Sequence, residues 1–144
     1  MGQKPLDPAM VGKVLEPTTE EVHRRAIELR AGGILSGEAV GHLFGIGRQV
    51  VDERRRAGVL LALPQGADWE YPRAQFHNGK AIPGLADIIA AFGASGPWVT
   101  LEFLVTEDTV LDGLTPREAL LQGGEMHGRV MALARGYRGG EGFG

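Results

Sequence analysis

The stretch that decides the fold is ILSGEAVGHLFGIGRQVVDERRRAGVLLAL, residues 34–63. Ser36 is a favourable N-cap for a short helix with an apolar face. Gly45-Ile46-Gly47 interrupts that pattern, and helical spacing resumes over residues 48–57. Two short helices joined by a tight glycine turn predict a helix-turn-helix.

Helical patterns also flank this unit. A helix is predicted to begin at Thr18 or Thr19, with Val22, Ala26 and Leu29 on one apolar stripe. Later helices are predicted from Pro83, over residues 97–106, from Thr115-Pro116 and over residues 125–135.

Between the helices, the apolar run at residues 59–63 and the alternating residues 69–71 enclose turn residues, which predicts a β-hairpin. The predicted fold class is therefore mainly α with a small β-hairpin (α+β). The predicted organisation comprises an extended or disordered arm (1–17), a helix-turn-helix with hairpin (18–92), a helical domain (97–137) and a flexible tail (138–144).

Composition and charge restrict the function. The chain has 144 residues, 23% of them charged, and no cysteine. Residues 1–96 hold as many basic as acidic side chains, whereas residues 97–144 hold 4 Lys and Arg against 7 Asp and Glu. A protein that coats nucleic acid non-specifically would be basic, so any DNA contact must come from a local patch. The absence of a signal-like or membrane-length apolar stretch indicates a cytoplasmic protein without a membrane partner.

Candidate DNA-binding residues lie on the second helix of the predicted helix-turn-helix. Arg48 and Gln49 stand at its start, where side chains reach base edges, and both suit bidentate bonds to purines. Basic residues near its end could bind phosphates: Arg54, Arg55 and Arg56. The alternative is a helical hairpin whose arginines stabilise the helix C-terminus, and the carboxylates of Asp52 and Glu53 favour it.

Catalytic chemistry has little support in the sequence. The four histidines show no i, i+4 pair that would suggest a helix-borne metal site. Ser36 and Ser95 lie outside any G-x-S-x-G elbow, and no phosphate-binding glycine motif is present. We therefore expect a protein that is not an enzyme, with no catalytic residues, no metal and no cofactor.

The last third of the chain carries a family resemblance. Residues 98–137 begin with Trp98 in a predicted helix, continue with a Leu-x-Gly-x-Thr-Pro-x-x-x-Leu element and end in a helix after Gly123. The element consists of Leu111, Gly113, Thr115, Pro116 and Leu120. This pattern resembles the toxin-binding domain of Xre/MbcA/ParS-type antitoxins.

Upstream segments extend the resemblance to residues 34–137. Tyr71-Pro72-Arg73-Ala74-Gln75-Phe76 and Pro83-Gly84-Leu85 are similar to segments of a subgroup that carries a short helix-turn-helix. One departure is that the amino-terminal region is too short for a full five-helix Xre domain.

The resemblance implies an antitoxin of a type II toxin–antitoxin system. Its partner would be a RES-domain toxin that consumes NAD or ADP-ribosylates, and the complex of the two would bind operator DNA and repress its own operon. The chain itself is expected to be a homo-oligomer. The toxin-binding residues implied are Thr115, Pro116, Arg129, Arg135, Tyr137 and Arg138. The acidic residues of the last third would complement a basic nucleotide pocket.

Two other interpretations remain open. One is a stand-alone helix-turn-helix transcriptional regulator whose C-terminal domain only dimerises. The other is an immunity or adaptor protein that uses the same C-terminal surface on an unrelated partner.

Overall fold

The structure, a computed structural model, describes residues 16–140, without the side chains of residues 138–140. In this part of the chain, all five strands lie within residues 34–81, and helices alone follow. Their bounds are α1 (Thr19–Arg30), β1 (Ile34–Ser36), α2 (Gly37–Phe44), α3 (Arg48–Arg56), β2 (Leu63–Gln65), β3 (Asp68–Pro72), β4 (Phe76–His77), β5 (Lys80–Ala81), α4 (Leu85–Ala91), α5 (Pro97–Val105), α6 (Pro116–Gln122) and α7 (Glu125–Gly140). The α+β class predicted from the sequence is confirmed.

A three-stranded antiparallel sheet lies beside the helix-turn-helix. Its strand order is β1-β3-β2, with Ile34 opposite Pro72 and Leu63 opposite Glu70. The element order α1-β1-α2-α3-β2-β3, with β1 on the edge of the hairpin, is that of a winged helix-turn-helix. The local sequence pattern indicated the hairpin but not β1, because this short strand is defined by its pairing with β3.

The helix-turn-helix follows the prediction closely. Ser36 caps α2, accepting a hydrogen bond from the Ala39 N–H at 3.0 Å. The first strand of the hairpin, however, begins only at Leu63, so the expectation of a strand over residues 59–63 was wrong for most of that run. The reason is that the backbone N–H and C=O of Leu61 bond to the Gln75 side chain instead of to a strand.

The first helix turns its apolar stripe outward. Val22 is 52% exposed and Leu29 is 82% exposed, whereas Ile27 is buried on the opposite side. Helix α1 is held to α5 by polar and aromatic contacts: the Arg24 guanidinium lies 4.9 Å from the centre of the Trp98 ring.

The last helix is longer than the sequence pattern indicated. Helix α7 continues to Gly140, beyond the predicted end at residue 135, despite its glycines. Of the predicted arm and tail, residues 1–15 and 141–144 lie outside the described residues. No helix within the described part of the chain is both long and apolar enough to cross a bilayer.

Two apolar clusters stabilise the fold. The smaller one joins α2 and α3 to the sheet and contains Val40, Val51 and Tyr71. The larger one extends from Ile27 of α1 to Ala134 of α7 and includes residues of α4, α5 and α6. Helix α1 and the C-terminal helices therefore share one core, which fixes the helix-turn-helix relative to the C-terminal part.

Candidate functional site

The turn between α2 and α3 requires glycine at two positions. Gly45 ends α2 in the left-handed conformation, with φ of 71°. The Ile46 N–H donates to the Gly41 carbonyl at 2.9 Å, and a Cβ on Gly41 would lie only 2.7 Å from the Ile46 carbonyl oxygen. This close approach sets the position of α3 against α2.

One face of α3 is open to solvent. Gln49, Glu53 and Arg56 follow one another at i, i+4 and i+7, and all three are exposed. Val50, beside Gln49 in the first turn, is 36% exposed. A polar amide and an apolar side chain at the start of α3 are therefore available to a ligand.

Arg48 is engaged within the protein. Its guanidinium donates to Asp68 Oδ1 at 2.6 Å, and its Nε lies 3.7 Å from Asp52 Oδ1. Asp68 raises the pKa of Arg48 above its usual value. Gly37 makes room for this side chain, since a Cβ there would lie 2.6 Å from Arg48 Nε. Arg48 therefore connects α3 to the hairpin.

The arginines near the end of α3 also contact neighbouring side chains. The Arg55 guanidinium lies 4.4 Å from the centre of the Trp69 ring and 3.6 Å from Asp52 Oδ1. Arg54 lies over the Phe44 ring at 5.3 Å. Close to Arg55, burial raises the pKa of the Tyr71 hydroxyl. These contacts orient Arg54 and Arg55 towards the protein rather than along the exposed face.

The predicted DNA-binding residues thus fall into two groups. Gln49 and Arg56 lie on the exposed face, whereas Arg48, Arg54 and Arg55 make intramolecular contacts. Asp52 forms ion pairs with two of these arginines, Arg48 and Arg55. The hairpin connection adds no cation, because residues 64–68 are PQGAD.

A second feature is an apolar groove of about 790 Å³ formed by α5, α7 and the start of α6. Its apolar lining includes Phe103, Pro116, Leu133 and Tyr137. Acidic side chains also line it, namely Glu102, Glu107 and Asp108. We call this feature the C-terminal groove.

Tyr137 is an anchored but accessible aromatic residue of the C-terminal groove. Its ring lies edge-on to Phe92 at 4.9 Å and 5.9 Å from Phe103, yet 49% of the residue is exposed. Since two rings hold it in place, Tyr137 would lose little conformational entropy when a ligand covers it.

Of the residues implied by the antitoxin resemblance, the C-terminal groove brings together Pro116, Arg129 and Tyr137. Arg129 also lies 3.4 Å from Glu125 and 3.8 Å from Asp112. Thr115 caps α6 instead, accepting from the Glu118 N–H at 3.1 Å. Arg135 is exposed and does not line the groove, and the side chain of Arg138 lies outside the described residues.

Sequence reasoning missed Arg117, which connects the two parts of the chain. Its Nε donates to the Ala74 carbonyl at 2.6 Å and its Nη2 to the Phe76 carbonyl at 2.8 Å. The only sequence signal was its place beside Pro116 in the first turn of a capped helix, which gives no indication of a distant partner. In residues 16–140, no three His, Asp or Glu side chains are grouped closely enough to hold a metal ion.

Comparisons with known proteins show a similar fold. No protein-family model matches the chain, and no curated protein does. Among solved structures, the NMR structure of Rv2175c superimposes with a TM-score of 0.61 at 18% identity, covering 73% of this chain and 80% of that one. At this identity the likeness shows a shared fold and no more.

Proposed function

We propose that this chain is a transcription regulator that reads duplex DNA with α3. The observation that carries the proposal is the winged-helix order of elements, which leaves Gln49, Val50 and Arg56 on the open face of α3. The second helix of a helix-turn-helix enters the major groove with its first residues at the base edges. The Gln49 amide is suited to paired hydrogen bonds with adenine, and Val50 is suited to a thymine methyl group.

Selection and measurement in solution test this function. Duplexes would first be selected from a randomised library with the full chain, and affinities then compared between Gln49→Ala and the matched control Gln122→Ala. We expect Gln49→Ala to lose about 1–3 kcal/mol of discrimination between selected and scrambled duplexes, the usual magnitude for one bidentate base contact. The control should behave as wild type, because Gln122 is exposed at the end of α6. A library that never enriches contradicts the proposal.

A second candidate function is the antitoxin, in which the C-terminal groove binds a RES-domain toxin. A specific observation favours it: three residues implied by the resemblance, Pro116, Arg129 and Tyr137, line one groove. Because Glu102, Glu107 and Asp108 also line it, a fitting occupant is an apolar segment of the toxin with basic side chains at its edge.

Co-expression with a RES-domain toxin encoded beside the gene tests the second candidate. The wild-type chain should restore growth, and Glu107→Lys should weaken the rescue by reversing a charge in the C-terminal groove. Asp87→Lys makes the same change on an exposed site outside that groove and should rescue fully. Equal rescue by both variants, or no rescue by the wild type, contradicts this function.

The two candidates differ in what DNA binding requires. A stand-alone regulator selects duplexes as the isolated chain. An antitoxin that represses as a complex binds DNA well only with its toxin, because assembly supplies avidity that a near-neutral helix-turn-helix lacks.

A further inference from the structure

A further open groove, of about 750 Å³, is lined in part by Ala39, His42 and Leu43 of α2. It is formed by the end of α1, one side of α2 and the β4–β5 turn. Five side chains that carry or can acquire positive charge line it: Arg30, His42, Arg73, His77 and Arg117. No Asp or Glu lines it. We call it the cationic groove.

The arginines of the cationic groove form no ion pair with another described residue. Within residues 16–140, every ion pair with a distance up to 4.0 Å involves other basic side chains, and none involves Arg30, Arg73 or Arg117. Arg117 donates hydrogen bonds, but to neutral backbone carbonyls that leave its charge uncompensated. This is the opposite of α3, where Arg48 and Arg55 lie beside carboxylates.

The fold brings these distant arginines together by backbone pairing. Arg73 directly follows β3, and its backbone N–H donates to the Gly33 carbonyl at 3.0 Å, next to the end of α1, where Arg30 lies. Arg30 and Arg73 are exposed at this junction, and Arg117 lines the same groove, so three guanidinium groups are available to one anion. Arginine is also the side chain best suited to phosphate oxygens.

We propose that the cationic groove binds the phosphodiester backbone of duplex DNA beside the bases that α3 contacts. The first helix of a helix-turn-helix crosses the DNA backbone, and here that helix is α2, one wall of the cationic groove. The inference rests on the proposed DNA-binding function. A chain of net charge −3 needs a local positive patch to contact phosphates. The cationic groove would be that patch, in place of the arginines of α3.

The salt dependence of binding tests the proposal. The double variant Arg30→Ala/Arg73→Ala and the wild type would be titrated with a non-selected duplex and with a selected one over a range of salt concentrations. The slope of log K against log salt is negative, and each lost phosphate contact should reduce its magnitude by about 0.9. The slope of the double variant should therefore be shallower than that of the wild type by about 1.8. The loss should be the same for both duplexes, leaving discrimination unchanged. Arg25→Ala, which removes an exposed arginine of α1 outside both grooves, is the control and should keep the wild-type slope.

The outcomes separate this inference from the function on which it rests. A wild type that binds duplexes without discrimination argues against base reading by α3, while loss of slope in the double variant still supports the cationic groove. An unchanged slope in a double variant that binds DNA overturns the inference. The inference is also overturned if adenosine monophosphate binding depends on Arg30 and Arg73 while duplex binding is independent of them. The groove would then bind a free phosphate. Thermal unfolding of each variant verifies that it folds.

Discussion

Arg48, the first residue of α3, donates a hydrogen bond to Asp68, the first residue of β3, with a distance of 2.6 Å between Nη2 and Oδ1. Asp68 Oδ1 also accepts from the Trp69 N–H at 2.8 Å, which fixes the carboxylate at the start of the strand. The pair holds a cation at the start of α3 in an internal contact. DNA contact by Arg48 would therefore require exchange of Asp68 for a phosphate or a base.

Removing the charge of Asp68 should favour that exchange. In Asp68→Asn the amide oxygen can still accept from Trp69, but the 2.6 Å ion pair with Arg48 is lost and only the longer contact with Asp52, at 3.7 Å, remains. We expect tighter duplex binding, with the slope of log K against log salt steeper by about 1, because Arg48 becomes available to one phosphate. Fluorescence anisotropy with a labelled duplex measures it. Asp87→Asn, an equal charge change on α4, should leave the slope at the wild-type value, and a slope unchanged in both variants would show that Arg48 stays on the protein.

Glu70 should make stability depend on pH. Burial, followed by the charges of Glu28 and Asp68, raises the pKa of Glu70 above its usual value in the folded state. The folded state therefore binds more protons than the unfolded state between the two pKa values, so the free energy of unfolding falls as pH rises through that interval. Glu70→Gln should remove this fall and be more stable than wild type at pH 7. Urea unfolding from pH 4 to pH 7 is the measurement, and a parallel profile for both proteins would count against it.

Replacing Gln75 should destabilise the fold strongly. It is fully buried, accepts from the Leu61 N–H at 2.8 Å and donates to the Leu61 carbonyl at 2.7 Å. Gln75→Leu fills similar space but leaves both backbone groups unpaired, and we expect a loss of about 3 kcal/mol in the free energy of unfolding. Gln122→Ala is the exposed control. Chemical denaturation decides it, and a loss below about 1 kcal/mol would mean that water replaces the amide.

Thr115 should act through stability rather than through a partner. Its side chain accepts from the Glu118 N–H, and the Glu118 carboxylate accepts from the Thr115 N–H at 2.9 Å, forming a capping box. Thr115→Ala should cost about 1 kcal/mol of unfolding free energy, and Thr115→Ser should recover most of it. Full stability in the alanine variant, together with lost partner binding, would instead assign Thr115 a direct contact.

The helices were predictable because their signals are local. Ser36 and Thr115 mark helix starts through hydrogen bonds that span three residues, and Pro116 does so through its fixed φ, so a short window of sequence contains the cause. Strand β1 was not predictable, since its three residues become a strand only by pairing with β3. The orientation of α1 also escaped prediction, because contacts with α5 outweigh the apolar stripe.

The candidate sites were predictable only in part. The exposed position of Gln49 follows from helical spacing once the turn is known. The internal partners of Arg48 and Arg55 do not, because Asp68 and Trp69 come from a strand whose place depends on the sheet. The cationic groove left no sequence pattern at all, since Arg30, Arg73 and Arg117 lie far apart along the chain.

The two hydrogen bonds of Arg117 have a consequence for communication across the molecule. They fasten the first turn of α6, which also lines the C-terminal groove through Pro116, to the backbone beneath the cationic groove. A partner that bound in the C-terminal groove and shifted α6 would also move Arg117, which lines the cationic groove. Binding in the C-terminal groove and binding in the cationic groove would then be energetically coupled. Such coupling is reciprocal, so each ligand would change the affinity of the other by the same factor.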